Sequence, residues 1–288
     1  MTVLVTGANG QLGNELRVLA TQYPALSFVF TDLPEGDITN SLNVNELVEK
    51  TQPQFVVNCA AYTAVDKAES DLALATLINA TAVQNLTNAC KQAGAYFIHI
   101  STDYVFDGKS CLPYRENDAT NPQTVYGRTK LQGENFALEY DKSVVIRTAW
   151  LYSPFGNNFV KTMLRLGSEK SSINVVADQV GTPTYANDLA RAILQIVHTT
   201  QQDASRFVGG LFHFSNEGVC SWYDFAVSIM QAAQLPCAVQ AIDTTDYPTP
   251  AQRPAYSVLH KGKIKQNYDV SVPHWHTALE QCLSLMKK

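Results

Sequence analysis

The hydrophobic positions in the first half of the chain fall into two alternating patterns. Five short runs are almost continuously apolar, which is typical of strands buried on both faces of a parallel sheet. These runs are residues 3–5, 28–30, 55–57, 96–100 and 144–146. The segments between them carry apolar residues at helical spacing, and Gly94 ends the longest, residues 69–93. This repetition predicts an α/β fold with a Rossmann-like, doubly wound parallel sheet.

The pattern loosens after Trp150, where helices are expected at residues 159–166 and 188–197 and a strand at 210–214. Five prolines between residues 236 and 273 predict a loop-rich tail. No low-complexity linker separates the two halves, so we expect the second lobe to be built from insertions on the first. We predict an NAD(P)-binding domain of residues 1–149 with about 174–215. A smaller C-terminal substrate-binding lobe then comprises about 150–173 with 216–288.

The composition is that of an ordinary globular protein, with 45% hydrophobic and 16% charged residues. The formal net charge of −5 argues against nucleic acid or an anionic membrane as the main partner. No apolar run reaches the roughly 18 residues of a membrane span, and no secretory signal is recognisable. Six scattered cysteines without a Cys-x-x-Cys pair indicate reduced thiols. We therefore expect a cytoplasmic protein.

A glycine-rich turn follows the first predicted strand. Gly7, Gly10 and Gly13 allow a tight turn, close approach of a pyrophosphate and close packing of the next helix. The N-terminus of that helix favours the phosphate charge. Asp32 comes 19 residues after Gly13, where a carboxylate hydrogen-bonds the ribose hydroxyls of the cofactor. The alternative is a simple tight turn at the glycines and a turn-starting Asp32 ahead of residues 33–34.

Candidate catalytic groups lie at a later strand end and on the following helix. Tyr126 and Lys130 are four residues apart, which places them on one helix face. An adjacent ammonium and an oxidised nicotinamide both favour the phenolate and so are expected to lower the pKa of Tyr126. Ser101, Thr102 and Asp103 follow the strand at residues 96–100, at the sheet edge where ligands bind. A hydroxyl of Thr102 can hold a ketone while Tyr126 delivers a proton; alternatively, these three residues merely cap a turn.

The ordered set of motifs resembles the extended short-chain dehydrogenase/reductase superfamily. Besides the glycine motif, Ser101–Asp103 and Tyr126-x-x-x-Lys130, it includes residues 58–63 (NCAAYT). Within the superfamily, several further stretches resemble the dTDP-4-dehydrorhamnose reductase family, and they are spread along almost the whole chain. These are residues 64–69 (AVDKAE), 101–106 (STDYVF), 156–166 (GNNFVKTMLRL), 178–184 (DQVGTPT) and 247–250 (YPTP).

The resemblance implies roles for individual residues. It implies Thr102, Tyr126 and Lys130 as the catalytic set, with Lys130 also holding the nicotinamide ribose. A second group is expected to line the cofactor, together with the three glycines: Gln11, Leu12, Asp32, Asp37, Ile38, Ala61, Tyr62 and Thr63. A third group is expected to face the nucleotide sugar: Val65, Thr102, Asp103, Trp150 and Arg253. Trp150 could equally be a core aromatic between the lobes, and Arg253 a surface residue.

Some members of the family are expected to hold a magnesium ion at a dimer interface through carboxylates. This chain has Glu15, but Asn187 stands at the position of the partner carboxylate, which argues against a metal site here. The six histidines show no pairing at metal-ligand spacing. We therefore expect NADPH or NADH as cofactor and a monomer or homodimer as the assembly, and we name no metal-ligating residues, although a magnesium ion is disfavoured rather than excluded.

The function implied is NAD(P)H-dependent reduction of the C4 ketone of dTDP-4-dehydro-L-rhamnose to dTDP-L-rhamnose, for cell-surface polysaccharide. Two alternatives stay open on the sequence. One is a nucleotide-sugar epimerase or dehydratase of the same superfamily, in which the nicotinamide is recycled. The other is a catalytically silent, cofactor-binding regulatory subunit, against which the intact Thr102, Tyr126 and Lys130 argue.

Overall fold

Six parallel strands form the central sheet of this computed structural model, which describes residues 1–286. The expected doubly wound α/β fold is confirmed. The strand order is β10-β5-β4-β3-β1-β2, and every neighbouring pair is parallel. Numbered along the chain, these strands are β1 (Thr2–Thr6), β2 (Ser27–Thr31), β3 (Phe55–Asn58), β4 (Tyr96–Thr102), β5 (Ser143–Thr148) and β10 (Gly210–His213).

The remaining strands are short and lie in three two-stranded sheets, β6 with β9, β7 with β12 and β8 with β11. They are β6 (Leu151–Tyr152), β7 (Ser172–Val176), β8 (Val180–Gly181), β9 (Thr184–Tyr185), β11 (Cys220–Ser221) and β12 (Ala238–Ile242). The helices are α1 (Gln11–Ala20), α2 (Ser41–Thr51), α3 (Val65–Ala68), α4 (Leu72–Thr76), α5 (Ala82–Ala93), α6 (Val125–Leu138), α7 (Phe159–Glu169), α8 (Ala186–Gln202), α9 (Trp222–Ala233), α10 (Gly262–Tyr268) and α11 (Trp275–Met286).

Side-chain alternation along the strands produces one core on each face of the central sheet. Val3 and Val5 of β1 pack with α1 and α8, whereas Leu4 between them packs with α2, α5 and α6. The strands are buried on both faces, which explains why their sequences are continuously apolar rather than alternating. Helices on both faces make the sheet doubly wound.

The chain reverses direction across the sheet after β2, because β3 returns to the other side of β1. Such a reversal opens a crevice at the carboxyl ends of the strands, where open α/β sheets bind ligands. The glycine turn at residues 7–10 and the segment after β3 lie at this edge.

A second core lies outside the central sheet. Its buried residues come mainly from α7, α9 and α11, with Phe225, Trp275 and Leu279 among them. The stretch between residues 236 and 273 is loop-rich as expected, because α10 and β12 occupy 12 of its residues (7 + 5), whereas α9 and α11 lie on either side of it. The prolines lie between these helices, which is where a residue without an amide hydrogen is tolerated.

The division into two lobes stays a proposal, and two segments lie on the opposite side of the expected boundary. Strand β7 pairs with β12 and contributes Val175, expected in the first domain, to the second core. Helix α10 contributes Ile264 and Tyr268 to the first core. Both departures involve contacts between segments more than 50 residues apart, which no local pattern records.

Two helices are longer than their sequence pattern predicts. The helices expected at 159–166 and 188–197 extend to Phe159–Glu169 and Ala186–Gln202. The helix expected at 69–93 divides into α4, a π-helical turn at Leu77–Thr81 and α5, and it ends at Gly94 with φ of +68°. Thus a left-handed glycine terminates the helix as expected.

We expect Gly133→Ala to lower the free energy of unfolding by roughly 2 kcal/mol, as overpacking does. A methyl group at Gly133 in α6 would collide with the carbonyl oxygen of Asn79 in the π-helical turn. Backbone cannot move aside as a flexible side chain can. Urea denaturation measures the change, with Gln132→Ala on the exposed side of α6 as the control. Equal stabilities of the two variants would contradict this account of the packing.

Candidate active site

The glycine turn brings the backbone into close contact with the next strand. Gly7 adopts φ of +64°, and a Cβ atom there would collide with the backbone of Ala60 after β3. A Cβ atom at Gly13 would collide with Gly7 and Ala8. Helix α1 begins after Gly10, which supplies no side-chain cap, so first-turn amide groups are available for an anion. The turn therefore fits the diphosphate of a dinucleotide.

Asp32 holds this turn in place. Its Oδ2 atom accepts a hydrogen bond from the backbone amide of Asn9 at 2.8 Å, and its Oδ1 atom accepts one from Leu33 at 2.9 Å. The carboxylate thus starts a turn, as the alternative held, and its bond to Asn9 places it beside the glycine turn, whereas its contact with the cofactor ribose stays a prediction. Each oxygen has a second lone pair for a ribose hydroxyl.

The other expected cofactor residues lie in the loops after β2 and β3. Asp37 accepts hydrogen bonds from the amide and hydroxyl of Thr39, and Ile38 is buried in the core beneath. The backbone amide of Tyr62 donates a hydrogen bond to Asn79 Oδ1 at 2.9 Å, and its carbonyl oxygen accepts one from Asn79 Nδ2 at 3.1 Å. These bonds fix the course of residues 61–63 along the edge of the sheet.

Two residues of the glycine turn differ in what they contact. Leu12 is buried in the core with α8, so its side chain supports the turn from below. Gln11 accepts a hydrogen bond from Asn158 at 3.0 Å, and Asn158 also caps the start of α7. The cofactor turn and the second lobe are therefore directly connected.

Thr102 ends β4, and Tyr126 and Lys130 lie on the first turns of α6. The helix begins with Thr124, whose hydroxyl accepts from the amide of Gly127 at 3.0 Å, a standard N-cap. Tyr126 packs edge-on against Tyr104, with ring centroids 5.4 Å apart.

The pKa of Tyr126 is raised by burial, and the hydroxyl of Thr102 opposes this rise only in part. The expectation that the chain's own groups lower the pKa of Tyr126 is therefore wrong. The Nζ atom of Lys130 lies 2.6 Å from the carbonyl oxygen of Ile100, to which it donates, and 3.5 Å from Nε2 of His99. Burial lowers the pKa of Lys130 to about 8, against the opposing charge of Glu134.

A buried ion pair fixes α6 to the sheet. Arg147 of β5 donates from Nε and Nη2 to the two carboxylate oxygens of Glu134, at 2.9 and 2.7 Å. The hydroxyl of Ser101 donates to the same carboxylate at 2.5 Å. Bidentate charge-assisted bonds are strong and directional, so this pair sets where Tyr126 and Lys130 stand relative to the end of β4.

Asp103 lies directly after Thr102 and is only 3% exposed. Its Oδ1 atom accepts from the hydroxyl of Thr102 at 3.0 Å, while Oδ2 is buried without a hydrogen-bond partner among residues 1–286. Burial raises its pKa to about 7, against the opposing effects of the hydrogen bond from Thr102 and of the nearby hydroxyl of Ser257, which makes no hydrogen bond of normal geometry to Oδ2. The free oxygen can accept a hydrogen bond from a hydroxyl of a bound molecule.

Trp150 stacks on Trp222 of α9, with ring centroids 3.6 Å apart and planes 8° from parallel. It adopts φ of +51°, a backbone conformation that bulky residues rarely take and that is common at functional sites. A Cβ atom at Gly181 would collide with its indole ring. The pair belongs to the contact between the lobes, and Trp150 contacts both the second and a smaller core.

Arg253 is three-quarters buried and forms an ion pair with Asp66, with Nη2 to Oδ2 at 2.5 Å. Asp66 follows Val65 at the start of α3, so the two expected substrate residues Val65 and Arg253 lie in adjoining segments. Arg253 also lines a small pocket with Tyr104 and residues 123–124. Arg253 is therefore partly buried at the edge of this pocket, and its role at the diphosphate stays a prediction.

Glu15 and Asn187 do meet, but through an amide donor. Asn187 Nδ2 donates to Glu15 Oε2 at 2.8 Å. Magnesium requires oxygen ligands in octahedral array, and this pair does not supply such a set. Across residues 1–286, no group of three or more His, Cys, Asp or Glu side chains is placed to hold a metal.

Sequence reasoning missed three residues that the structure brings to the site, Trp222, Ser257 and His99. Trp222 and Ser257 come from the second half of the chain, where no motif marked them. His99 lies within a strand and has no local partner. A polar residue within an otherwise apolar buried strand was the signal available for His99.

The fold is that of Rossmann-type enzymes of the short-chain dehydrogenase/reductase superfamily. The family model described as RmlD substrate binding domain matches residues 1–288. The chain belongs to the dTDP-4-dehydrorhamnose reductase family.

Relatives and solved structures with that name match over the full length. The dTDP-4-dehydrorhamnose reductase of Escherichia coli K12 is 42% identical, over 99% of this chain and 97% of its own. The crystal structure of the Clostridium acetobutylicum reductase is 43% identical, covers both chains completely and has a TM-score of 0.93. The reductase of Bacillus anthracis, solved in complex with NADP, is 39% identical over 99% of both chains with a TM-score of 0.92.

The raised pKa of Asp103 predicts a specific dependence of stability on pH. A folded-state pKa above the ordinary 3.8 means that this group favours folding below pH 4 and loses that contribution as the pH rises through 7. Relative to Asp103→Asn, wild type should lose stability at up to roughly 1.4 kcal/mol per pH unit over that interval.

Urea denaturation of both proteins at several pH values measures this difference, with Asp141→Asn at an exposed turn as the control. Parallel stability curves for wild type and Asp103→Asn would show that the carboxylate stays ionised in the folded protein.

Proposed function

We propose that this chain catalyses reduction of the C4 ketone of dTDP-4-dehydro-L-rhamnose to dTDP-L-rhamnose with NADPH or NADH. The observation that carries the proposal is that Thr102, Tyr126 and Lys130 meet at the carboxyl edge of the sheet, the same edge as the glycine turn, with β3 between β4 and β1. Full-length relatives that bear the name of this reductase support it.

The chain's residues divide the chemistry between them. The reduced nicotinamide supplies the hydride when it is bound. Thr102 and Tyr126 hold the ketone oxygen through their hydroxyls, and Tyr126 donates its proton to that oxygen as negative charge develops. The raised pKa of Tyr126 keeps the phenol protonated until that moment. Lys130 then returns a proton to the phenolate, and it holds the ribose.

Substrate recognition is assigned to the contacts on the other side of the same cleft. Asp103 Oδ2 accepts a hydrogen bond from a sugar hydroxyl, because it is the buried oxygen without a partner. Trp150 offers an apolar face to the deoxysugar, and Val65 lies beside the nucleotide. Arg253 suits the diphosphate because its planar fork binds phosphate oxygens in pairs.

We further propose that the enzyme acts in the cytoplasm as a monomer or homodimer, with the two-lobe division described above. In residues 1–286, none of the helices combines the length and the apolar character that a membrane span requires.

The two alternatives have less support. Solved structures of a dTDP-glucose 4,6-dehydratase and a UDP-glucose 4-epimerase share 16% and 19% identity with this chain, which shows the fold alone. A silent regulatory subunit would not need Thr102, Tyr126 and Lys130 to be brought together. Net consumption of NADPH with the ketosugar separates reduction from both alternatives.

Tyr126→Phe should lower kcat by roughly 10²- to 10⁴-fold, the usual contribution of general acid catalysis. The substitution removes one oxygen and keeps the ring against Tyr104, so cofactor affinity should change much less. Lys130→Ala should lower both kcat and cofactor affinity, because Lys130 contacts the ribose as well. Steady-state kinetics and cofactor titration measure these effects. A near-normal kcat for Tyr126→Phe would contradict its assignment as the acid.

Asp32→Ala should weaken NADH binding more than NADPH binding. Wild-type Asp32 accepts from the ribose hydroxyls of NADH, whereas its charge disfavours a 2′-phosphate. Loss of its bond to Asn9 should weaken both cofactors to a common extent. Fluorescence titration with each cofactor measures the ratio of the two losses. Equal losses would mean that Asp32 only holds the glycine turn.

A further inference from the structure

A row of buried polar side chains crosses the central sheet and ends at Lys130. Thr6 of β1 lies beside Asn58 of β3, and Asn58 lies beside His99 of β4 in the strand register. All three are completely buried. Buried polar groups persist only where they are hydrogen-bonded, so the arrangement of these bonds is informative.

The orientation of the Asn58 amide follows from a backbone donor. The amide of Ala60 donates to Asn58 Oδ1 at 3.1 Å, and the hydroxyl of Thr6 donates to the same atom at 2.8 Å. A backbone amide can only donate, so this side-chain atom is the oxygen. Asn58 Nδ2 therefore faces Nδ1 of His99, at 3.1 Å. Because the side-chain nitrogen of an asparagine only donates, His99 Nδ1 accepts.

The tautomer of His99 follows in turn. Burial and the nearby Lys130 lower its pKa well below the ordinary value, so the ring is neutral. A neutral imidazole that accepts at Nδ1 carries its proton on Nε2. The Nε2–H group faces Nζ of Lys130, 3.5 Å away.

This arrangement suits a neutral amine at Lys130 better than an ammonium. An amine has a lone pair that accepts from His99 Nε2–H, and it still donates to the carbonyl oxygen of Ile100. An ammonium has three donors and no acceptor, so an N–H group of Lys130 would face the Nε2–H group of His99 without a hydrogen bond.

The other charged and titratable groups around Lys130 do not reverse this preference. Glu134, one turn further along α6, favours the ammonium. However, both oxygens of that carboxylate are already held by Arg147. Tyr126, one turn back, is a buried phenol with a raised pKa and so carries no charge. The remaining neighbour is His99.

We propose that His99 is a positioning residue that holds Nζ of Lys130 and stabilises its neutral amine through Nε2–H. Lys130 then titrates near neutral pH, so its ammonium form can give a proton to the Tyr126 phenolate and the resulting amine can take one from solvent. The link to turnover rests on the proposed reductase function, whereas the tautomer and the titration of Lys130 do not.

The tautomer is tested by nitrogen-15 NMR of the imidazole rings in the full-length protein. We expect His99 to show the neutral Nε2–H form from about pH 6 to about pH 9. His99→Gln assigns the signal. Asn58→Asp should convert it to the Nδ1–H form, because a carboxylate can only accept. A charged ring, or an Nδ1–H form in wild type, overturns the proposal.

The effect on Lys130 is tested by the pH dependence of kcat. The side chain of His99→Gln can turn its amide oxygen to Lys130 and accept from the ammonium. The alkaline limit of kcat, the pH above which kcat falls, should then rise by about one pH unit. A shift of that size corresponds to the free energy of one hydrogen bond. Asn58→Asp should move the limit in the same direction. Phe97→Leu, on the same face of β4, is the packing control and should leave the limit in place.

An unmoved alkaline limit in both His99→Gln and Asn58→Asp overturns the role of His99, because a purely structural residue would lower kcat at every pH alike. If one variant does not fold, the other still decides. If no ketosugar is turned over, the proposed function fails separately, and the pH dependence of NADPH affinity reports the titration of Lys130 instead.

Discussion

Burial of Lys130 is the constraint on which the rest of the site depends. A cationic side chain that is 2% exposed costs several kcal/mol unless its surroundings compensate. Here the cation is compensated by the carbonyl oxygen of Ile100 and by Glu134, whereas His99 favours the neutral amine. Each of these groups is in turn held by another: His99 by Asn58, and Glu134 by Arg147 and Ser101. The position of α6 is therefore determined by polar contacts as well as by its apolar side.

The same burial explains the division of protonation states. Desolvation disfavours charge on every group in the cleft, so it raises the pKa of Tyr126 and Asp103 and lowers that of Lys130. An acid with a raised pKa keeps its proton until negative charge appears on the substrate. A lysine with a lowered pKa can supply that acid again at neutral pH. One physical cause thus prepares both members of the proposed proton pathway.

Contacts between the central sheet and the second core hold the proposed substrate residues in place. Asn158 joins α7 to Gln11 of the cofactor turn, and the Trp150–Trp222 stack joins the end of the sheet to α9. The indole ring of Trp150 packs against Trp222 and Gly181, and these contacts retain the left-handed backbone conformation of Trp150. These contacts connect cofactor and substrate binding physically.

What the sequence by itself determined is local or periodic. Continuous apolar runs showed the strands of a parallel sheet, Gly7 and Gly13 showed a turn without room for side chains, and Tyr126 and Lys130 showed one face of a helix. Tertiary structure alone decided which distant groups meet. It showed that Arg253 pairs with Asp66, that β7 belongs with β12, and that His99 lies against Lys130. It also reversed the expected shift of the Tyr126 pKa, because burial depends on everything packed around a residue, and spacing along a chain does not record that.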